Sequence, residues 1–197
     1  MGAIISRARF KISYYFHKKR AHTRSFRKIA LAVMIDYKLF ANGKKYSTLL
    51  SVLRVIEAAS LYFSVNFGII FVVSKFFIWK LSPEVSTLHS DWSLQSFQQN
   101  ATRSQKYNIL LGFTDRKLFS IEKANKIDGG ALLLGNTAIV RLLDSKPTLQ
   151  ILLHELGHIF GAIHVNTHSV MRSNSPESME FDEVNKRRIL ANRNRCF

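Results

Sequence analysis

Cysteine is almost absent from this sequence: its 197 residues include one, Cys196. A single cysteine cannot form an intramolecular disulfide, which excludes the disulfide-stapled folds of many small secreted domains. A hydrophobic core must therefore hold the chain together. The length and the 47% hydrophobic content are sufficient for one such domain.

Acidic residues are also scarce, and none precedes Asp36. The formal net charge of +16 favours acidic partners, such as nucleic acid or an anionic membrane, without choosing between them. Residues 1–28 contain nine Lys or Arg residues, interleaved with aromatic and aliphatic side chains. We therefore divide the chain into a basic N-terminal segment, residues 1–26, and a domain of residues 27–197.

Several functions fit the basic N-terminal segment, and the sequence leaves them open. It has the charge and aromatic content of a peripheral membrane anchor and the Arg-rich, acid-poor composition of an organelle-targeting peptide. Met1, Gly2 and Ser6 match the N-myristoylation pattern, whereas a solvated basic arm would have the same composition. The segment lacks an apolar run followed by a small-residue cleavage site, so we expect no cleavable secretion signal.

The most informative stretch of the chain is HELGHIFGAIH, residues 154–164. His154 and His158 are four residues apart, so on a helix their rings project from one face and can converge on one ion. Glu155 lies too far round that helix to be a natural third ligand. It can instead reach a water molecule bound to the ion.

A turn after this helix can supply the third ligand. Gly161 can adopt the left-handed conformation that ends a helix, and the chain can then return His164 to the same ion. Three imidazoles leave the fourth tetrahedral position for water, which is the arrangement of catalytic rather than structural zinc.

This stretch resembles the HExxHxxGxxH signature of the metzincin metallopeptidases, a group that includes the adamalysins and the matrixins. The resemblance implies that His154, His158 and His164 bind one catalytic Zn²⁺ and that Glu155 is the general base. It also implies that Met171 forms the methionine turn beneath the metal.

Two departures from the family pattern bear on the mechanism. Val165 follows the third histidine, where several subfamilies carry an acidic residue or serine. No tyrosine follows Tyr107, which excludes a tyrosine oxyanion helper from the C-terminal part.

Before the motif, hydrophobic periodicity predicts strands and one helix. Residues 29–35 and 107–113 are short, apolar and bounded by polar residues, so we predict two buried strands. Helical spacing of apolar residues predicts a helix from an N-cap at Ser47 to about Tyr62.

Residues 61–81 allow two interpretations. The stretch has the length and hydropathy of a transmembrane span, but it contains Lys75 and a turn-like break near Gly68. Its enrichment in Phe, Val and Ile favours a central strand over residues 68–79. A strand, a long helix and a second strand also open the metzincin catalytic domain, so the resemblance supports this interpretation.

Two apolar runs separated by a short turn precede the motif and predict a strand hairpin, residues 131–134 and 137–143. In metzincins the strand at the first position is an antiparallel edge strand that holds an extended substrate. The resemblance therefore implies a substrate role for five residues, and the alternative is an ordinary hairpin. These residues are Gly130, Ala131, Leu132, Leu133 and Leu134.

The expected fold is an α+β sandwich of metzincin type. It has a twisted, mostly parallel sheet with one antiparallel edge strand. An active-site helix begins at Ser145 as its N-cap, with Pro147 in its first turn. A C-terminal helix ends near Asn192, with Phe181, Val184, Ile189 and Leu190 on its apolar side.

These expectations define a zinc-dependent peptidase, in particular an endopeptidase, that acts on protein or peptide substrates. The alternative is a membrane- or nucleic-acid-associated binding protein on a degenerate peptidase fold. In that case the basic N-terminal segment would bind an anionic membrane or another acidic partner.

Overall fold

The computed structural model describes residues 25–43, 45–80, 87–89, 107–119, 126–173 and 178–197. Eight strands lie within these ranges: β1 Arg27–Asp36, β2 Ile69–Trp79, β3 Thr87–His89, β4 Ile109–Thr114, β5 Lys117–Phe119, β6 Lys126–Ile127, β7 Gly129–Ala131 and β8 Thr137–Arg141. The α-helices there are α1 Lys45–Phe67, α2 Ser145–Ile159 and α3 Glu183–Asn192, and a 3-10 helix spans Tyr37–Gly43.

Within the described ranges, the main sheet has five strands in the order β2-β1-β4-β8-β7. Strand β1 is parallel to both β2 and β4, and β4 is parallel to β8. Strand β7 runs antiparallel to β8 at one edge. The predicted fold class, a mostly parallel sheet with one antiparallel edge strand, is confirmed.

Alternation along the strands divides the core between the two faces of the sheet. Ile29, Leu31, Val33 and Ile35 of β1 belong to the cluster that includes the buried residues of α1 and α2. Ala32 and Met34 point the other way and join Leu118 of β5, so the small sheet β3-β5-β6 contributes to the second face. This small sheet was not expected, because strands of two or three residues are too short to show a periodicity.

Strand β2 corrects one prediction: among the strands that the structure describes, it is the other edge strand of the main sheet rather than a central one. Its apolar composition was misleading because Val72, Phe76 and Ile78 are nearly half exposed. Residues 61–81 do not form one span, since Leu61 belongs to α1 and the chain enters β2 after Gly68. In the described part of the chain, α1 alone has the length and apolar composition to cross a membrane, and a third of its most apolar window is buried in the fold.

The predicted helices are present with shifted ends. Helix α1 begins two residues before the predicted Ser47 and extends five residues past Tyr62. Asp144, not Ser145, is the N-cap of α2, and it makes no side-chain capping bond. Helix α3 ends at Asn192 as predicted, but Val184 and Leu190 are exposed instead of packed.

A buried ion pair joins the carboxyl end of β1 to the residues that directly follow β4. The Asp36 carboxylate accepts hydrogen bonds from Arg116 Nε at 2.6 Å and from Thr114 Oγ1 at 2.7 Å. Asp36 is 0% and Arg116 2% exposed. An interaction this deep fixes the two strand ends against each other, because neither charge can be left alone in the interior.

Candidate metal centre

Helix α2 carries two of the predicted ligands and ends just before the third. Gly161 has φ +86°, which few side chains tolerate. Its N–H donates to the carbonyl of His158, and the N–H of Ala162 donates to the carbonyl of Gly157, both at 2.9 Å. These two bonds form a Schellman-type cap that reverses the chain toward His164.

The three histidines converge as the sequence predicts. The Nε2 atoms are 3.0 Å apart between His154 and His158, 3.1 Å between His154 and His164, and 3.2 Å between His158 and His164. Tetrahedral ligands at about 2.0–2.1 Å from zinc lie about 3.3 Å from one another. The group therefore has the spacing that one zinc ion requires.

Hydrogen bonds on the far side of two rings determine how they face the site. The Nδ1 atom of His154 is 2.7 Å from the carbonyl oxygen of Val170, and that of His158 is 2.9 Å from the carbonyl oxygen of Ala162. A carbonyl only accepts, so each Nδ1 carries the proton and each Nε2 presents a lone pair. Lone pairs this close repel one another unless a cation lies between them, which supports a metal site.

Glu155 directly follows His154 on α2 and is buried, with 5% of its surface exposed. Burial raises the pKa of its carboxyl to about 8, because removal from water disfavours the charged form. A bound divalent cation would lower the pKa of Glu155 instead, because its positive charge favours the carboxylate. The buried carboxyl is thus sensitive to the charge of the site beside it.

Met171, the residue predicted to form the methionine turn, packs against α2. Met171 is fully buried, and its sulfur and the ring of Phe181 occupy the space that a side chain on Gly157 would need. The preceding residue, Val170, supplies the carbonyl that orients His154. Met171 also accepts a hydrogen bond from the N–H of Val165, the residue after the third histidine.

The sequence did not reveal Asn185 of α3, which anchors the loop that carries the third histidine. Its side-chain Oδ1 accepts from the N–H of Ile163 at 2.8 Å, and its Nδ2 donates to the carbonyl of Ile163 at 3.0 Å. Ile163 directly precedes His164. Asn185 is fully buried and lies 22 residues from Ile163 in sequence, so no local pattern could indicate this role.

The predicted substrate strand is shorter than expected. Gly130 and Ala131 belong to β7, but Leu132, Leu133 and Leu134 form the turn that follows and are exposed. The N–H of Leu134 donates to the carbonyl of His158 at 3.0 Å, which ties this turn to the end of α2.

Arg195, which the sequence also did not single out, bonds the same turn to α2. Its guanidinium donates to the carbonyls of Leu134 and Gly135 and to that of Ile159. One side chain near the C-terminus thus connects the hairpin turn with the last residue of the ligand-bearing helix.

Comparison with known proteins agrees with this geometry. A family model described as metallo-peptidase family M12 matches residues 25–189. The fold is similar to that of archaemetzincin from Methanopyrus kandleri, with a TM-score of 0.65 and 21% identity over 90% of this chain and 100% of that chain. Metalloproteinase-II from Bacteroides fragilis gives a TM-score of 0.60 and 20% identity over 88% of this chain and 55% of that chain.

A second archaemetzincin, from Archaeoglobus fulgidus in complex with malonate, gives a TM-score of 0.56 and 19% identity over 81% of this chain and 99% of that chain. No curated protein matches the sequence. The sheet and the three-histidine cluster define the class of protein: a metzincin-type zinc peptidase. Because the family model covers most of its length, the chain belongs to metallo-peptidase family M12.

Proposed function

We propose that the protein is an endopeptidase in which His154, His158 and His164 hold the zinc ion and Glu155 is the general base. The observation that carries this proposal is the convergence of three Nε2 atoms within 3.2 Å beside a buried carboxyl. A structural zinc site would use a fourth protein ligand. Among the described residues, the group of potential ligands contains the three histidines alone.

The chemistry then divides between the ion and Glu155. His154, His158 and His164 would hold the zinc ion, and the ion would supply Lewis-acid polarisation of the scissile carbonyl and a lower pKa for the attacking water. The Glu155 carboxylate takes a proton from the attacking water and passes it to the leaving amine. Because no tyrosine follows Tyr107, we propose that backbone N–H groups contribute to stabilising the oxyanion.

We propose that Gly130 and Ala131 bind the substrate through their backbone. Among the described strands, β7 is the last of the sheet on its side, and an edge strand can add an extended peptide as a further strand. A peptide bound in this way can continue past both ends of the short strand. This is why we favour internal cleavage over removal of terminal residues.

The test is cleavage of peptides whose two ends are chemically blocked, with wild type, Glu155→Gln and Glu183→Gln compared at equal zinc content. Glu183 is an exposed residue of α3, so its variant is a control for the same chemical change. We expect internal cleavage by wild type and by the control, and at least a thousandfold lower rate for Glu155→Gln. Full turnover by Glu155→Gln would refute the assignment of the base, and cleavage of unblocked peptides alone would refute the endopeptidase.

We propose peripheral association with an anionic membrane as a second function, carried by the basic N-terminal segment. The folded domain also carries positively charged side chains at the place where the segment joins it. Arg193 donates to the carbonyl of Ser25 at 3.0 Å, and Arg27 donates to the carbonyls of Arg193 and Arg195. These bonds are to neutral acceptors, so they leave the positive charge of the arginines in place.

Exposed apolar side chains in the segments that meet at this basic junction favour a membrane over nucleic acid. Phe26 is half exposed, and Leu61 and Val65 are exposed near the end of α1. The end of α1 is connected to the junction, because the N–H of Arg27 donates to the carbonyl of Gly68, the residue after α1, at 2.9 Å. Basic and apolar groups together are the features of a peripheral membrane surface.

Vesicle co-sedimentation tests this second function. The full chain should bind phosphatidylcholine vesicles that contain phosphatidylserine and should not bind pure phosphatidylcholine vesicles. Val65→Glu should weaken binding at least fivefold, whereas Val184→Glu, at an exposed valine of α3, should leave it unchanged. Binding to duplex DNA without binding to either vesicle would contradict the proposal.

A further inference from the structure

Strand β7 approaches α2 so closely at one position that no side chain fits there. A Cβ on Gly129 would lie 2.5 Å from Oε1 and 2.9 Å from Cγ of Glu155, and 2.6 Å from Cγ2 of Ile151. Distances below 3.0 Å are essentially never observed for a Cβ atom. The backbone of Gly129 therefore lies directly against the carboxyl group to which we assign the proton transfer.

Neither the side chains of α2 nor strand β7 can easily move to make room for a Cβ on Gly129. Glu155 is 5% and Ile151 9% exposed, so both side chains are enclosed. Gly129 pairs with Val140 of β8, and at the other end of the hairpin the N–H of Leu134 bonds to the carbonyl of His158. Strand β7 is thus attached to the sheet at its start and to α2 just beyond its end, and it cannot move away as a unit without breaking these bonds.

We propose that Gly129 is a positioning residue for Glu155. Its lack of a side chain allows the edge strand to close over the carboxyl group and confine it to one position. The inference rests on the proposed function and deepens it, since the next two residues, Gly130 and Ala131, are those proposed to bind the substrate. One short strand would then set the positions of both the base and the scissile bond, and displacement by about 1 Å costs on the order of a hundredfold in rate.

The first test is the division of the effect between kcat and KM in the full, zinc-loaded chain. Gly129→Ala should lower kcat at least tenfold, keep one zinc per chain and change KM less than threefold. Gly135→Ala is the matched control: its Cβ would lie 2.4 Å from Cβ of Leu132, so it disturbs the same hairpin away from Glu155. We expect that variant to raise KM more than it lowers kcat. An unchanged kcat in Gly129→Ala would overturn the inference.

The second test does not depend on activity. Gly129→Ala is introduced into wild type and into Glu155→Ala, and the loss in Tm is compared in the two backgrounds. Truncation of Glu155 removes two of the three close contacts, so the loss should be at least halved, and a fold lost in the single variant should return in the double variant. Equal losses in both backgrounds would overturn the inference. An inactive wild type with the expected coupling would instead count against the proposed function alone.

Discussion

Replacement of Asn185 by alanine should weaken the anchoring of the loop that carries His164, the third ligand, without changing His164 itself. The substitution removes two hydrogen bonds to the backbone of Ile163 and one from Nδ2 to the Asp182 carboxylate at 2.7 Å. Each bond contributes about 1 kcal/mol, so we expect a loss of about 3 kcal/mol. For a domain of this size, that corresponds to a decrease in Tm of about 6–12 °C.

The same substitution should weaken zinc binding by a separate amount. Among the described residues, Asn185 supplies the side-chain hydrogen bonds to the backbone of Ile163, the residue before His164. His164 is also the most exposed of the three histidines. Loss of a group that orients a ligand typically costs about 10–100-fold in metal affinity. Competition with a chromophoric chelator measures the affinity, and thermal unfolding of the metal-free chain measures the stability.

Asn66→Ala provides the control for this prediction. The Asn66 amide donates to the carbonyl of Tyr62 within α1 at 2.9 Å, so this variant should lose about 1 kcal/mol and keep its zinc affinity. If Asn185→Ala lowers Tm but competes for zinc as well as wild type does, Asn185 supports the fold alone and the reasoning about His164 is refuted.

Three further substitutions test the packing and the charges around the site. Gly157→Ala should lower Tm, because the new Cβ would lie 2.7 Å from the Phe181 ring and 2.8 Å from the Met171 sulfur. This should outweigh the helix propensity of alanine, which exceeds that of glycine by about 1 kcal/mol. An equal or higher Tm would contradict this packing. Arg116→Met should cost about 3–5 kcal/mol in urea unfolding, since it leaves the Asp36 carboxylate buried without its partner; a loss below about 1 kcal/mol would contradict it. Asp182→Asn should lose about 1 kcal/mol at pH 6, because an amide nitrogen in place of Oδ2 cannot accept the hydrogen bond from Asn185 Nδ2. The loss should be small at pH 2, and urea unfolding at a series of pH values measures the difference. Burial alone would raise the pKa of Asp182, but hydrogen bonds from Asn185 and Ser169 outweigh it and hold the pKa below its usual value. A group with a lowered pKa stabilises the fold above its usual pKa of about 3.9, and this contribution is lost as the pH falls through the folded value. A difference between wild type and Asp182→Asn that does not shrink at low pH would contradict this sign.

The metal site could be predicted from the sequence because its geometry is local. All three histidines lie within eleven residues, and a helix followed by a glycine turn determines how they face one another. The groups that hold the site in place were not predictable in the same way. Asn185 reaches Ile163 over 22 residues and Arg195 reaches Leu134 over 61 residues, and such pairs leave no periodic signal.

The errors in the fold have a similar origin. Strand β2 has the apolar composition of a central strand, but the order of strands depends on long-range pairing that composition does not encode. Leu132, Leu133 and Leu134 continue an apolar run, yet the bond from Leu134 to His158 turns the chain out of the sheet. The assignment of residues 1–26 as a separate segment remains a prediction, since residues 1–24 lie outside the described ranges.

Titration of the metal-free chain with zinc tests the central claim most directly. Zinc is removed with a chelator, and cleavage of a blocked peptide is followed as zinc is returned in steps. We predict no cleavage without zinc. In wild type, the cleavage rate should rise linearly with added zinc and stop rising at one equivalent per chain. Glu155→Gln should bind the same equivalent of zinc but show no rise in the cleavage rate. Cleavage that persists in the metal-free chain, or an end point other than one equivalent, would contradict a single catalytic zinc held by His154, His158 and His164.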